Sequence, residues 1–366
     1  MQSRKSTPNE GDFLIHLSHN DLDGAGCHYL TRHFQKASML ISSSYEDIDL
    51  WIDRIVNMAQ TKILNGEKVF VLVTDISISK SQCTDLDNRL PRRCGVAILD
   101  HHITTKSCSD IFEWCVYDNS KSATLLTYEF YGSINNKFIK TMVGLVNISD
   151  LGLSKSTGYS VAEFLSQQIY EMADMPEAIS DIINDYRFYL IERITEHRIL
   201  GASVLALEQN LPFIRIGFLR YKGVEKSIVE NYDLSYLDKL YYLIGQYIDL
   251  TKIPTVHVGK ECIGVFFHWQ DNLYRHLVMS NERIKKEYDY AVLIKVSGRL
   301  SLRALRETSN AALLMETFFN GGGHRTQAGG KIPLKNCETL DYTLYYLRGV
   351  LAKREKLNEW NKCHVG

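Results

Sequence analysis

The chain has 366 residues, enough for two average domains, and its 45% hydrophobic content can bury a full core. A formal net charge of −1 argues against a broad basic surface for long nucleic acid, while leaving room for a local pocket that takes a short phosphate-bearing ligand. No two of the eight cysteines stand in Cys-x-x-Cys spacing, the chain opens on polar residues, and no apolar run reaches the roughly 20 residues of a membrane span, so a reduced, cytoplasmic protein without structural zinc is expected.

Residues 1–12 read as a polar tail. Phe13–Leu17 reads as a buried strand ending in Ser18-His19-Asn20-Asp21, and Gly24–Phe34 as a helix. A short strand at Met39–Ile41 and helical spacing over Ile48–Leu64 follow. Lys68–Thr74 is a strong strand ending at Asp75, a polar helix runs to Leu90, and Gly95–Leu99 is a strand ending at Asp100-His101-His102. Cys115–Tyr117 is one more short strand. This alternation predicts an α/β fold whose N-terminal parallel sheet carries helices on both faces. Ser122 to about Asn210 is mostly helical, and 211–255 shows no clear pattern. Strand patterns return at Cys262–Trp269, Tyr290–Val296 and Leu300–Leu305, followed by a helix over Thr308–Phe319 and a glycine-rich loop from Gly321 to Gly330.

Three of the apolar strands end in acids or imidazoles, and an open parallel sheet binds ligands beyond the carboxyl ends of its strands. Side chains alternate along an extended segment, so His19, Asp21 and Asp23 would point the same way. Carboxylates set side by side repel one another unless a cation lies among them; Mn²⁺ or Mg²⁺ would make the same set favourable. Gly24 lets the chain turn tightly into the helix. Each signal alone has a plainer explanation: a helix cap at Asp21-Leu22-Asp23-Gly24, another cap at Asp75, a surface turn at Asp100-His101-His102. Asp150, in Asn147-Ile148-Ser149-Asp150, says little by itself. Their order, at widths suiting successive βα units, favours one joint site.

Together these motifs resemble the DHH phosphoesterase superfamily, named for the Asp-His-His seen here at Asp100, His101 and His102. The resemblance extends to Ser122-Ala123-Thr124, to Ser301-Leu302-Arg303 and to Gly321-Gly322-Gly323-His324, so its motifs span most of the chain. It is marked toward the bacterial nanoRNases of the B type, which carry a stretch like His19–Cys27. The resemblance implies two divalent ions, most often Mn²⁺ or else Mg²⁺, and hydrolysis of phosphodiesters in very short RNA or dinucleotides. Carried onto this chain, it has Asp75 bridging both ions, Asp23, His101 and Asp150 completing one site, and Asp21, with His19 beside it, helping form the other. The chain departs from relatives in having Leu17 where many have histidine, His19 where RecJ-like members have aspartate, and Ile148-Ser149-Asp150-Leu151-Gly152 in place of a Thr-Asp-Thr-Gly form.

A phosphodiester is anionic and its leaving oxygen needs a proton. His102 is therefore assigned as phosphate contact or general acid, and Asp100 as the carboxylate that orients a histidine. Backbone N–H groups at Gly322 and Gly323 can approach a phosphate closely, and Ser301, Arg303 and His324 add donors. No Gly-Lys-Ser/Thr follows, so this is not a nucleotide P-loop. Arg92-Arg93 and Lys285-Lys286 read as solvated surface, and Cys27 as a small packing residue. The leading expectation is a metal-dependent exoribonuclease that cuts short oligoribonucleotides to mononucleotides. A phosphodiesterase of linear or cyclic dinucleotide signals is the alternative, and a nucleotide-binding protein on a DHH scaffold is the alternative without catalysis. A homodimer is expected by analogy. The expected layout is a tail at 1–12, a metal-binding domain at 13–200, a connector at 201–255 and a smaller α/β substrate-binding domain at 256–366, with the active site in the cleft between the domains.

Overall fold

The computed structural model describes residues 7–35, 39–132, 134–172, 176–295, 297–333 and 339–353. The chain divides into two compact units, Met1–Asp174 with Ile183–Phe218, and Met175–Ile182 with Leu219–Gly366. The expectations for residues 1–6, Val296, Cys337 and Cys363 lie outside the described residues.

In the first unit β1 (Phe13–His19), β2 (Met39–Ser43), β3 (Val69–Thr74), β4 (Gly95–Asp100) and β5 (Cys115–Tyr117) form one parallel sheet in the order β2-β1-β3-β4-β5. The connections carry α1 (Leu22–Phe34), α2 (Ile48–Leu64), α3 (Lys80–Arg89) and the short α4 (Lys106–Ser109). Every residue of β3 and β4 is buried, as central strands covered on both faces require, and this is why they read as unbroken apolar runs. Ile15, Val71, Val73 and Ile98 pack on one face against Ile52, Ile55 and Leu86 of α2 and α3. Leu14, Phe70, Leu72 and Leu99 pack on the other face with Leu126, which belongs to α5 (Ala123–Phe130). Next come α6 (Lys137–Asp150), α7 (Tyr159–Tyr170), α8 (Ser180–Ile199) and α9 (Val204–Tyr221). All five strands run the same way, so β1, β3 and β4 end at one edge. Strand order reverses between β1 and β3, which places the switch point between the Asp21/Asp23 segment and Asp75.

The second unit contains α10 (Lys226–Val229), α11 (Tyr236–Tyr247), β6 (Thr255–Val258), β7 (Glu261–Phe267), α12 (Asp271–Ser280) and α13 (Glu282–Glu287). It continues with β8 (Tyr290–Ile294), β9 (Arg299–Ala304), α14 (Ala311–Phe319), β10 (Gly322–His324), β11 (Gln327–Lys331) and α15 (Leu340–Leu351). The strands form a mixed sheet, β10-β11-β9-β8-β7-β6. Val265, Val292 and Leu302 pack on one face against Leu314, Phe318 and Leu347 of α14 and α15. Two sequence expectations change here. The patternless 211–255 stretch contains helices, of which α11 opens with a capping box between Ser235 and Asp238. The glycine-rich loop is largely a hairpin: Gly322–His324 pairs antiparallel with β11, and its glycines supply no side-chain alternation by which a strand could be read.

Candidate metal centre

Each ligand candidate at the sheet edge is fixed by local structure. Asp21 caps α1, its Oδ1 accepting the Gly24 N–H at 3.1 Å. A Cβ at Gly24 would run into the His19 carbonyl oxygen, so glycine is what allows the turn to close. Asp23, buried in the first turn of α1, accepts the N–H groups of Ala123 at 2.7 Å and Thr124 at 2.8 Å. The Thr124 hydroxyl donates to the Asp23 carbonyl at 2.7 Å. The Ser-Ala-Thr segment thus aims the otherwise unsatisfied N–H groups of the α5 N-terminus at a carboxylate. Asp75 follows β3 with φ +53°, a conformation uncommon outside glycine, and is buried. Its N–H donates to the Leu99 carbonyl at 3.2 Å. Asp100 is fully buried at the end of β4. It accepts from His102 Nδ1 at 2.7 Å and from the Thr105 hydroxyl, which in turn accepts the Ile78 N–H at 3.2 Å. Asp150 is the last residue of α6.

These elements converge. His101 Nε2 lies 3.3 Å from Asp75 Oδ1 and 3.9 Å from Asp23 Oδ2, and its Nδ1 lies 3.5 Å from Asp150 Oδ2. His19 Nδ1 lies 2.9 Å from Asp21 Oδ2. Three sets offer ligand atoms within 4.8 Å of one another: His19, Asp21 and Asp75; Asp23, His101 and Asp150; and Asp75 with Asp100, His101 and His102. Asp75 and His101 each belong to two of them.

The electrostatics of this cluster are those of a cage for a cation. Burial, then the Asp21 and Asp23 charges, pushes the Asp75 carboxyl well above its ordinary range. Burial and Asp21 also raise Asp23, outweighing its hydrogen bonds to Thr124. Burial and Asp23 push Asp150 up to about 8. Burial raises Asp21 too, but His19 and the Gly24 N–H overcome it and hold this acid at about 2. Burial lowers His101, which keeps a ring-nitrogen lone pair available. The hydrogen bond to Asp100 raises His102. Among the described residues, Asp75 Oδ2, His101 Nε2 and Asp150 Oδ2 are buried and make no hydrogen bond of acceptable geometry. Buried polar atoms are normally satisfied. Carboxylate oxygens and an imidazole nitrogen left without hydrogen bonds in one cluster are a donor set that Mn²⁺ or Mg²⁺ takes, so the residues present fit such an ion.

Two neighbours escape the sequence reading. Tyr45, in a 3₁₀ turn just beyond β2, places its hydroxyl 3.0 Å from His102 Nε2 and its ring 4.4 Å from that of His19. The β1–β2 register sets Ser43 opposite His19, so the residues just after β2 reach the same edge, but that register is not visible in sequence. Arg187 of α8 is buried and donates to the Asn20 carbonyl at 3.2 Å, the Met172 carbonyl at 2.6 Å and the Ser42 hydroxyl at 3.1 Å, thereby holding the His19–Asp21 turn. A single arginine in a polar helix gives no such signal. Cys27 is fully buried, and burial pushes its thiol up, away from a reactive thiolate.

In the second unit, strand register aligns the remaining candidates. Arg303 pairs with Gln327, which pairs with His324; Ser301 pairs with Gly329, which pairs with Gly322. Residues directly opposite share a sheet face, so Ser301, Arg303, Gly322 and His324 lie together on one side. Gly323 falls on the other side with Leu302 and Ala328. His324 and Gly322 are exposed.

No family model matches the chain. It is 23% identical over 342 residues to a 3′,5′-cyclic-nucleotide phosphodiesterase of Helicobacter pylori, covering 87% of this chain and 92% of that one. It is 22% identical over 332 residues to the oligoribonuclease NrnB of Bacillus subtilis, covering 87% and 73%. A crystal structure of an uncharacterized protein from Helicobacter pylori G27 shares the fold, with a TM-score of 0.75 at 21% identity over 93% of this chain and 99% of that one. The chain is thus similar over most of its length to these two relatives, and its motif order and sheet-edge geometry resemble those of the DHH superfamily. No helix among the described residues is long and apolar enough to cross a membrane.

Proposed function

We propose that the protein is a metal-dependent phosphodiesterase that hydrolyses short oligoribonucleotides to mononucleotides. The observation that carries this reading is the buried, orphaned ligand set of Asp75, His101 and Asp150 at the sheet switch point. Asp75 would touch two ions; Asp23, His101 and Asp150 would complete one site, and Asp21 with His19 the other. When bound, such ions would neutralise a phosphate and activate water near pH 7. Asp100 accepts the His102 Nδ1 proton, which fixes the ring and turns Nε2 outward, where it can contact the phosphate or protonate the leaving oxygen. In the second unit, Ser301, Arg303, Gly322 and His324, which share one sheet face, would supply donors to a phosphate.

The Bacillus relative is named an oligoribonuclease and the Helicobacter relative a 3′,5′-cyclic-nucleotide phosphodiesterase. Both names concern a phosphate bonded to a 3′ and a 5′ oxygen, so small 3′,5′-cyclic nucleotides are a second reading, favoured by the 92% coverage of the Helicobacter relative. The test is Mn²⁺-dependent hydrolysis of RNA dimers to pentamers beside linear dinucleotides, cyclic dinucleotides and 3′,5′-cyclic mononucleotides, with Asp75→Asn as control. Mononucleotide release from the short RNAs, absent in the variant, is expected. Turnover of cyclic nucleotides alone would replace the leading reading. Tight binding of a dinucleotide without turnover of any substrate would make the protein a nucleotide-binding module.

A further inference from the structure

We propose that Tyr45 is a substrate-contacting residue, whose hydroxyl hands its hydrogen bond from His102 to an oxygen of the bound phosphate. The inference rests on the phosphodiesterase reading above and adds a residue that no motif marks. Of the two nitrogens of His102, Nδ1 is taken by Asp100 and Nε2 by the Tyr45 hydroxyl, at 2.7 and 3.0 Å. With the Nδ1 proton directed at the carboxylate, Nε2 of the neutral ring carries a lone pair, and the phenol is the donor. Both ring nitrogens of His102 are thereby engaged in the free protein. A phosphate that reaches His102 must first displace that hydroxyl, and a phenol displaced by an anion has a new acceptor within its own reach.

Position supports this exchange over a purely structural bond. Tyr45 is 43% exposed, whereas the groups that hold the motif from behind, Asp100 and Thr105, are fully buried. Its ring lies at 30° to that of His19, so contact with one face steadies it while the edge bearing the hydroxyl stays at the mouth of the cluster. It sits on a three-residue turn, Tyr45–Asp47, just beyond the end of β2. In chemical terms, the tyrosine hydroxyl is a neutral donor suited to a phosphodiester oxygen, beyond the charge that metals supply.

The test compares wild type with Tyr45→Phe, which keeps the ring on His19 and removes only the hydroxyl. Inorganic phosphate is titrated calorimetrically into the Mn²⁺-loaded proteins, and the Mn²⁺-induced thermal shift is recorded in parallel. We expect phosphate affinity to fall about tenfold, the worth of one hydrogen bond to a charged acceptor, with the Mn²⁺ shift unchanged. Equal phosphate affinity in the two proteins would overturn the assignment. So would loss of the Mn²⁺ shift in Tyr45→Phe, because the residue would then shape the metal site instead of meeting the ligand. A wild-type protein that binds phosphate but hydrolyses none of the phosphodiesters above would sink the phosphodiesterase reading, while the phosphate comparison would still decide the role of Tyr45.

Discussion

Asp150→Asn should make the metal-free protein more stable and the metal-loaded protein less so. The Asp150 carboxyl is pushed from 3.8 to about 8 by burial and by Asp23 and Asp21, and only 17% of its side chain is exposed. Because the folded value is raised, the unfolded chain sheds its proton first. The penalty is absent below about pH 4, grows as pH rises toward 8, and at pH 7 reaches roughly 2–4 kcal/mol once its coupling to the neighbouring acids is allowed for. Asparagine keeps the shape and removes the charge, so the metal-free variant should melt about 5–12 °C higher at pH 7.5, and the gain should vanish near pH 4. Added Mn²⁺ should raise the melting temperature of wild type and leave the variant nearly unmoved, reversing their order. Differential scanning calorimetry in chelator and in Mn²⁺, at both pH values, reads all four states. A metal-free variant that melts lower than wild type, or one that retains the whole Mn²⁺ shift, would refute the view that these acids store repulsion for an ion to relieve.

Other perturbations probe the frame around the cluster. His16 and His28 are fully buried with rings 4.6 Å apart; burial lowers both, His28 to about 3, so the fold holds them neutral. Their contribution to stability should therefore be full above about pH 6.5 and fall as pH drops, by up to about 1.4 kcal/mol per unit for each histidine, and the difference between wild type and His28→Gln in urea unfolding across that range should show it. Thr105→Val leaves the Ile78 N–H and an Asp100 oxygen without their hydroxyl partner and should cost about 1–3 kcal/mol by chemical denaturation, with a matching loss of turnover as His102 loosens. Gly24→Ala drives a Cβ into the His19 carbonyl and should abolish the Mn²⁺ thermal shift even where the variant folds; an intact shift would show that the turn has room to spare.

What could be read from sequence divides along a physical line. The parallel sheet was legible because β3 and β4 are buried on both faces and so must be apolar throughout, and because each ends at a residue that cannot be buried without a partner. Asp21, Asp23, Asp75 and His101 carried the pattern jointly, since their convergence needs only that the strands run parallel. Tyr45 and Arg187 depend instead on lateral register and on how a helix lies across the sheet, neither of which leaves a local periodicity. The β10–β11 hairpin was hidden for a different reason: glycines at 321, 322, 323, 329 and 330 erase the alternation that marks a strand, while the close backbone approach at Gly321 and Gly323 is what demands them.

The bonds from the α5 N-terminus to Asp23 divide the cluster into halves of unequal stiffness. Asp23 is tied at both carboxylate oxygens, and Asp75 and Asp100 stand at the ends of the buried central strands β3 and β4, so an opening fluctuation there must break buried backbone bonds. Asp150 hangs from the final turn of α6, where helices fray. Amide exchange should accordingly be slow around Asp23 and fast around Asp150, with an ion closing that difference. If an ion binds there, the stiff half would serve as a template that fixes where charge is placed, and the compliant half would adjust to what has been placed.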